Sequence, residues 1–146
     1  MNYMTESELF LIDTNILVYA AEKGESPKIQ KAKKLVNRCW QGEEILAVSS
    51  QNLAEFVFVT TKRAKLSFEE AKTFAGFVVD FHGFKKIGYN AETVLAAIEM
   101  ANEFKTSFWD SLLAATMREN GIFNIYTENV KDFKMPWIKA VNPFNQ

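Results

Sequence analysis

The organisation of the chain follows from one stretch near its start, Leu9-Phe10-Leu11-Ile12-Asp13-Thr14-Asn15-Ile16-Leu17-Val18-Tyr19. Its first four residues are apolar and partly β-branched, which is typical of a buried strand in a parallel sheet. Polar side chains begin abruptly at Asp13, and open α/β sheets bind their ligands at this carboxyl end of a strand. The stretch predicts a strand and then a helix, with Asp13 as a plain helix N-cap or as a functional carboxylate.

The length and composition indicate one compact domain. The chain has 146 residues, of which 48% are hydrophobic, and this predicts a single domain over residues 1–146 with a core from about residue 8 to residue 144. Cys39 is the one cysteine and His82 the one histidine, which excludes a disulfide framework, a zinc site and a histidine-based triad. A lone histidine at a helix end is typical of a structural or solvent-facing residue.

The cellular setting predicted from these features is the reducing cytoplasm. The polar start, Met1 to Glu8, lacks an apolar signal core, and no apolar run approaches the ~20 residues that span a bilayer.

The charge balance gives no general attraction for nucleic acid. Seventeen Lys and Arg residues and eighteen Asp and Glu residues give a net charge of −1, so any contact with nucleic acid must be local. Candidate contacts are Lys62, Arg63, Lys65 and Arg118, although each is more typical of a solvated surface.

The remainder of the chain alternates predicted strands with predicted helices. Helices are predicted from Pro27 to about Trp40, with Ser26 as N-cap, and through residue 51 to about Ala64, with Ser49 or Ser50 as N-cap. A capping box at Ser67 begins a helix to about Phe81, and Asn90 caps a helix from Ala91 to Phe104. The last helix is predicted from Phe108 to Asn120, with Thr106 or Ser107 as N-cap. Further strands are predicted at Ile45–Val48, Lys85–Gly88, Phe123–Tyr126 and Ile138–Val141. This alternation predicts an α/β fold, a single-domain α/β/α sandwich with a mostly parallel central sheet.

Aromatic residues recur at helical spacing in two of these helices. Phe56, Phe58, Phe74, Phe77 and Phe81 are predicted as core residues rather than as an interface between chains. The same prediction applies to Trp109, which we interpret as a core residue rather than as a platform for a stacked base.

Acidic side chains stand at several of the predicted strand ends and helix starts. Asp13 follows the first strand, Glu55 lies one turn into a helix, and Asp110 lies in the first turn of a late helix. Each has a simple alternative role, because an acid near a helix N-terminus stabilises the helix dipole. In a parallel sheet these positions and the 127–132 loop converge on one edge. Packed carboxylates repel one another unless cations bridge them, so the cluster predicts Mg²⁺ or Mn²⁺.

The pattern of these residues resembles PIN domains, and specifically the VapC-type toxin ribonucleases of toxin–antitoxin pairs. The resemblance covers nearly the whole chain and rests on Asp13-Thr14-Asn15, Leu53-Ala54-Glu55-Phe56, Phe108-Trp109-Asp110, Thr127-Glu128-Asn129 and Asn142-Pro143-Phe144. It implies that Asp13, Glu55 and Asp110 are catalytic and bind the metal. It also implies that Asn15 and Thr127 orient their neighbours.

The chain departs from the family pattern at the fourth acidic position. Many family members have an aspartate where this chain has Asn129, which places the ligands of a second metal ion in doubt. Two nearby acids, Glu128 and Asp132, are candidates to supply the carboxylate that is missing at Asn129. With three acids, one metal ion is expected on the protein, and a second is expected to arrive with the substrate.

The resemblance implies a metal-dependent endoribonuclease with an RNA substrate, a protein antitoxin and a homodimeric state. Two alternatives stay open. One is a non-catalytic PIN-like domain that binds RNA or acts as a scaffold, and Asn129 favours it. The other is a different Mg²⁺-dependent α/β enzyme that handles phosphoryl groups, in which one aspartate would be phosphorylated and RNA would be left intact.

Overall fold

A computed structural model describes residues 9–63 and 65–145. The polar start Met1 to Glu8 and Ala64, the predicted end of one helix, lie outside these residues. The described elements are β1 (Phe10–Ile12), α1 (Thr14–Ala21), α2 (Pro27–Trp40), β2 (Leu46–Ser49), α3 (Ser50–Lys62), α4 (Phe68–Asp80), β3 (Phe84–Ile87), α5 (Ala91–Phe104), α6 (Phe108–Glu119), β4 (Asn124–Tyr126) and β5 (Lys139–Val141). One short 3₁₀ turn, Val130–Asp132, lies between β4 and β5, and another, Pro143–Asn145, follows β5.

The five strands form one sheet in the order β3-β2-β1-β4-β5, and every neighbouring pair is parallel. The opening strand β1 is therefore central, with Leu11 opposite Ala47 on one side and Ile125 on the other. Because both edges of β1 are paired, its carboxyl end lies between the ends of β2 and β4. The predicted parallel α/β sheet is confirmed.

Helices cover both faces of this sheet. Ile12 and the side chains that share its face pack in one core with helices α1 to α4. Leu11 points to the opposite face, where it packs with Leu113 and Met117 of α6, since side chains alternate along a strand. Helix α5 packs against the outer side of α6 through Ala97 and Met100. The result is the predicted α/β/α sandwich.

Short polar side chains determine where most of the helices begin. The predicted N-caps of α2, α4 and α5 accept hydrogen bonds from backbone N–H groups in the first turn. Ser49, not Ser50, caps α3 in a reciprocal box with Asn52, and Ser107, not Thr106, caps α6. Within the described chain, no helix is long and apolar enough to cross a membrane.

Three of the aromatic core predictions are wrong. Phe56 is fully buried, whereas Phe58 is 60% exposed, because it lies two residues and therefore about 200° further round α3. Phe77 is 63% exposed, since α4 turns mainly Ala71 and Val78 to the core. Trp109 is 59% exposed in the first turn of α6.

Candidate active site

A cavity of about 360 Å³ opens where α1, α3, α6 and the loop after β4 meet. Its lining residues are Asp13, Thr14, Asn15, Val18, Tyr19, Glu55, Val59, Arg63, Lys65, Asp110, Glu128 and Asn129. The structure therefore brings the three predicted acids to one cavity. They are far apart in the sequence: Thr14, the residue after Asp13, lies 41 positions before Glu55, and Asp110 lies further still beyond Glu55.

Asp13 lies between the end of β1 and the start of α1, and both of its carboxylate oxygens accept hydrogen bonds. Oδ1 accepts from the backbone N–H of Thr14 at 2.8 Å, and Oδ2 accepts from the hydroxyl of Thr127 at 2.7 Å. Asp13 is thus a helix N-cap that also lines the cavity. Burial raises its pKa from 3.8 to about 6, and the charges of Asp110 and Glu55 act in the same direction, against the two hydrogen bonds.

Glu55 lies in the second turn of α3, and polar neighbours hold both of its oxygens. Oε2 accepts from the hydroxyl of Thr14 at 3.2 Å, and Oε1 accepts from Nε2 of Gln51 at 3.0 Å. The Thr14 hydroxyl in turn accepts from Nδ2 of Asn52 at 3.1 Å. Asn52 also belongs to the capping box of α3. A single hydrogen-bond network therefore connects the start of α3, Thr14 in α1 and the Glu55 carboxylate.

Asp110 lies at the N-terminus of α6, where Ser107 holds it twice. Its backbone N–H donates to Ser107 Oγ at 3.1 Å, and its Oδ2 accepts from the same hydroxyl at 2.8 Å. Burial raises the pKa of the Asp110 carboxyl group despite the Ser107 hydrogen bond, and the charges of Asp132 and Glu55 raise it further. Asp132 itself is exposed and does not line the cavity.

The loop after β4 does not hold a free carboxylate at the fourth position. Asn129 is exposed, and its backbone N–H donates to Thr127 Oγ1 at 3.0 Å. The Glu128 carboxylate forms an ion pair with Lys28 and accepts from the Tyr19 hydroxyl at 3.4 Å. Its backbone N–H donates to Oδ1 of Asn15 at 3.4 Å. Of the two candidates to compensate for Asn129, Glu128 is engaged by a cation, and Asp132 acts on Asp110 only through its charge.

The candidate basic residues divide into two groups. Arg63 and Lys65 line the cavity, and Lys65 forms an ion pair with Glu22. The other two lie over aromatic rings away from the cavity, with Lys62 Nζ 5.1 Å from the ring centre of Phe58 and Arg118 Cζ 5.0 Å from that of Trp137. The exposed His82 lies beside Phe81 and does not line the cavity.

Three polar residues that hold the site together were not predicted from the sequence. Thr14, Gln51 and Asn52 are all buried and all belong to the network around Glu55. The available signal was positional, since Gln51 and Asn52 precede Glu55 by one helical turn and thus share its side of α3. That signal does not show that the partner of Asn52 is Thr14.

The donor set fits a hard divalent cation, because Mg²⁺ and Mn²⁺ prefer oxygen ligands. Burial, and after it the charge of neighbouring carboxylates, raises the pKa of Asp13 and of Asp110, and a cation would relieve the repulsion between these groups. Among the described side chains, no three acidic, histidine or cysteine groups are close enough to enclose an ion as they stand. Water would therefore have to complete the coordination, as is usual for Mg²⁺.

Comparison with solved structures shows the same fold in proteins of low sequence identity. VapBC2 from Rickettsia felis, bound to a promoter DNA fragment, is 20% identical, with a TM-score of 0.66 over 92% of this chain and 98% of that chain. A toxin–antitoxin complex from Klebsiella pneumoniae is 21% identical, with a TM-score of 0.64 over 92% and 97%. VapC20 from Mycobacterium tuberculosis, a toxin that cleaves the sarcin-ricin loop, is 21% identical, with a TM-score of 0.62 over 81% and 88%.

A comparison with curated protein sequences gives no significant match. The family model described as the PIN domain matches residues 10–134. This range begins at β1 and includes Asp13, Glu55 and Asp110, and it extends beyond Thr127 into the connection between β4 and β5. The chain belongs to the PIN domain family.

Proposed function

We propose that this protein is a metal-dependent endoribonuclease that hydrolyses RNA phosphodiester bonds. The observation that carries the proposal is the meeting of Asp13, Glu55 and Asp110, from three separate parts of a PIN domain, at one open cavity. The pKa values of Asp13 and Asp110 are raised, and carboxylates with raised pKa values that line a cavity are typical of functional sites. Structural ion networks can also shift pKa values, so the proposal depends on the fold and the acids together.

In this proposal Asp13, Glu55 and Asp110 hold Mg²⁺ or Mn²⁺. When bound, such an ion lowers the pKa of water and neutralises charge that develops on a phosphate. Thr127 keeps the Asp13 carboxylate in place through the 2.7 Å hydrogen bond. Asn15 supports the loop after β4 by accepting from the Glu128 backbone N–H.

RNA needs positive charge near these acids, because the net charge of the chain is −1 and nucleic-acid affinity depends strongly on phosphate contacts. Arg63 and Lys65 lie on the wall of the same cavity. The Arg63 side chain is exposed, so it is accessible to a backbone phosphate. We assign Arg63 as the main phosphate contact and Lys65 as a second contact that first has to leave Glu22.

The proposal includes the role of toxin in a toxin–antitoxin pair, with a protein antitoxin, a homodimeric state and a cytoplasmic location. The structural relatives from Klebsiella pneumoniae and Rickettsia felis support the antitoxin, since both were solved with one. Exposed apolar side chains on α3, α4 and α5, among them Phe58, Phe77 and Leu95, supply apolar area for protein contacts.

One observation favours a second candidate, a PIN domain that binds RNA without cleaving it. The fourth acidic position is Asn129, and the neighbouring Glu128 carboxylate is paired with Lys28. A second metal ion would therefore have few protein ligands. This candidate and the nuclease share the cavity and differ in whether RNA is cut.

The deciding experiment is an RNA cleavage assay with the purified protein. A pool of single-stranded and structured RNAs is incubated with Mg²⁺, with Mn²⁺ or with EDTA. We expect cuts with either metal, no cuts with EDTA, and no cuts by the Asp13→Asn or Asp110→Asn variant. The matched control is Asp80→Asn, because Asp80 is exposed at the end of α4; this variant should cleave like the original protein.

Other results would contradict the proposal in different ways. Cleavage that persists in EDTA or in the Asp13→Asn variant would refute the metal site. RNA binding without cleavage under all conditions would support the non-catalytic domain. A phosphorylated aspartate with intact RNA would indicate a phosphoryl-handling enzyme.

A further inference from the structure

Gln51 joins Glu55, an acid that lines the cavity, to Trp109, the residue directly before Asp110. Its Nε2 lies 3.0 Å from Oε1 of Glu55, one turn further along α3. The same Nε2 lies 3.0 Å from the backbone carbonyl oxygen of Trp109, which directly precedes Asp110 in α6. Helices α3 and α6 pack on opposite faces of the sheet, so this one amide links residues from the two layers.

The orientation of the Gln51 amide follows from its partners. A carboxylate and a backbone carbonyl only accept hydrogen bonds, so the group that faces both of them must be the NH₂ group. The reversed amide would place three acceptor oxygens together and would satisfy none of them. The assignment of nitrogen and oxygen is therefore fixed by chemistry.

The other end of the same amide lacks a partner. Gln51 is only 9% exposed, and within the described part of the chain its buried Oε1 accepts no hydrogen bond. A buried acceptor without a partner destabilises the folded state. An apolar side chain of similar length would remove this unpaired acceptor and also the two hydrogen bonds of Nε2, so its two effects on the stability of the fold oppose each other.

We propose that Gln51 is a positioning residue for the metal site: it holds the Glu55 carboxylate at a fixed distance from the first turn of α6 and hence from Asp110. This inference rests on the proposed function, because it concerns the residues assigned there to the metal. Gln51 acts through Glu55 and the Trp109 carbonyl and does not line the cavity itself. Groups that orient metal ligands in this way change metal affinity by roughly 10- to 100-fold when they are removed.

The test measures metal binding and stability separately. The variant Gln51→Met keeps the length of the side chain and removes both N–H donors. Mn²⁺ affinity is measured by electron paramagnetic resonance titration of free Mn²⁺, and the melting temperature is measured on the metal-free protein in EDTA. The matched control is Thr60→Val, which removes a buried polar group from the same helix, since the Thr60 hydroxyl donates only to backbone carbonyls of α3.

For Gln51→Met we expect a Kd for Mn²⁺ that is at least about ten-fold higher. We expect a melting temperature of the metal-free protein close to the original value, because removal of the unpaired acceptor offsets the loss of the two hydrogen bonds. For Thr60→Val we expect a lower melting temperature and an unchanged Kd. A Kd for Gln51→Met within two-fold of the original value would overturn the inference. So would a weaker Kd that comes with a lower melting temperature of the metal-free protein, since that pattern indicates a structural role.

The remaining outcomes of the test also decide the inference. If Gln51→Met does not fold, Gln51→Leu replaces it with the same expected results, and failure of both variants to fold would assign Gln51 a structural role and overturn the inference. If the original protein binds no Mn²⁺, the proposed metal site is refuted, and the inference fails with it. If the original protein binds Mn²⁺ and Gln51→Met binds it equally well, only the positioning role of Gln51 is refuted.

Discussion

Replacing Asp13 with asparagine should make the metal-free protein more stable at neutral pH. The pKa of Asp13 is about 6 in the folded chain against an ordinary value of 3.8, and at 1.36 kcal/mol per pKa unit this difference corresponds to about 3 kcal/mol. Because the folded pKa is the higher one, ionised Asp13 destabilises the fold above pH 6. Asparagine never ionises, but it loses the acceptor for the Thr127 hydroxyl, at a cost of about 1 kcal/mol. The net gain is therefore about 2 kcal/mol.

The same difference predicts a pH dependence. As the pH falls from 7 to 5, Asp13 in the folded chain becomes mostly protonated, whereas the unfolded chain keeps it ionised. Linkage then gives the original protein about 1.3 kcal/mol of extra stability from this residue. The contribution is complete below pH 3.8 and is lost as the pH rises through 6. Asp110 acts in the same direction, since its pKa is also raised by burial.

The assay is urea denaturation in EDTA at pH 5, 6 and 7, applied to the original protein, to Asp13→Asn and to the control Asp80→Asn. The stability advantage of Asp13→Asn should shrink by about 1.3 kcal/mol between pH 7 and pH 5. Carboxylates that do not interact with Asp13 cancel in this difference. Excess Mg²⁺ at pH 7 should stabilise the original protein and leave Asp13→Asn unchanged. An advantage that is absent at pH 7, or that stays constant with pH, would refute the reasoning.

Two further predictions concern the apolar residues and the cavity wall. Phe56→Ala should lower the free energy of unfolding by about 3–5 kcal/mol, because Phe56 is fully buried. Trp109→Ala should change the urea midpoint little, because Trp109 is 59% exposed. Equal losses of stability in the two variants would contradict the observed burial. In the Asp110→Asn background, Arg63→Gln should weaken the binding of single-stranded RNA. It should also make the negative slope of log affinity against log salt shallower by about 0.7. An unchanged slope would mean that Arg63 makes no phosphate contact.

The fold was largely predictable because its signals are local. Helix starts depend on one or two side chains, and the predicted caps Ser26, Ser67 and Asn90 occur where expected. Buried parallel strands appear as short apolar runs, so β1 and β2 were found within one residue of their observed bounds. The meeting of Asp13, Glu55 and Asp110 at one cavity was also predicted, because parallel strands end at a common edge.

The unpredicted features depend on contacts between distant parts of the chain. The helical spacing of the phenylalanines does not show which face of the helix packs against the sheet, so the exposure of Phe58 and Phe77 could not be predicted from it. The engagement of Glu128 depends on Lys28, which lies 100 residues away. Gln51 was missed because one of its partners is a backbone carbonyl 58 residues away, and no side-chain pattern marks such a carbonyl. The sequence therefore predicted where the acids lie better than it predicted their hydrogen-bond and ion-pair partners.

The central position of β1 has a consequence for the synthesis of the protein. β1 is made before the other described elements, and β2 follows it closely, whereas the strand on its other side, β4, begins only at Asn124. The Asp13 backbone N–H donates to the Tyr126 carbonyl, and its carboxylate accepts from Thr127, 114 residues later. Such long-range pairing is slow to form. A nascent chain that has been synthesised past Asp110 but not yet as far as Tyr126 contains all three acids, yet the cavity that they line is still incomplete.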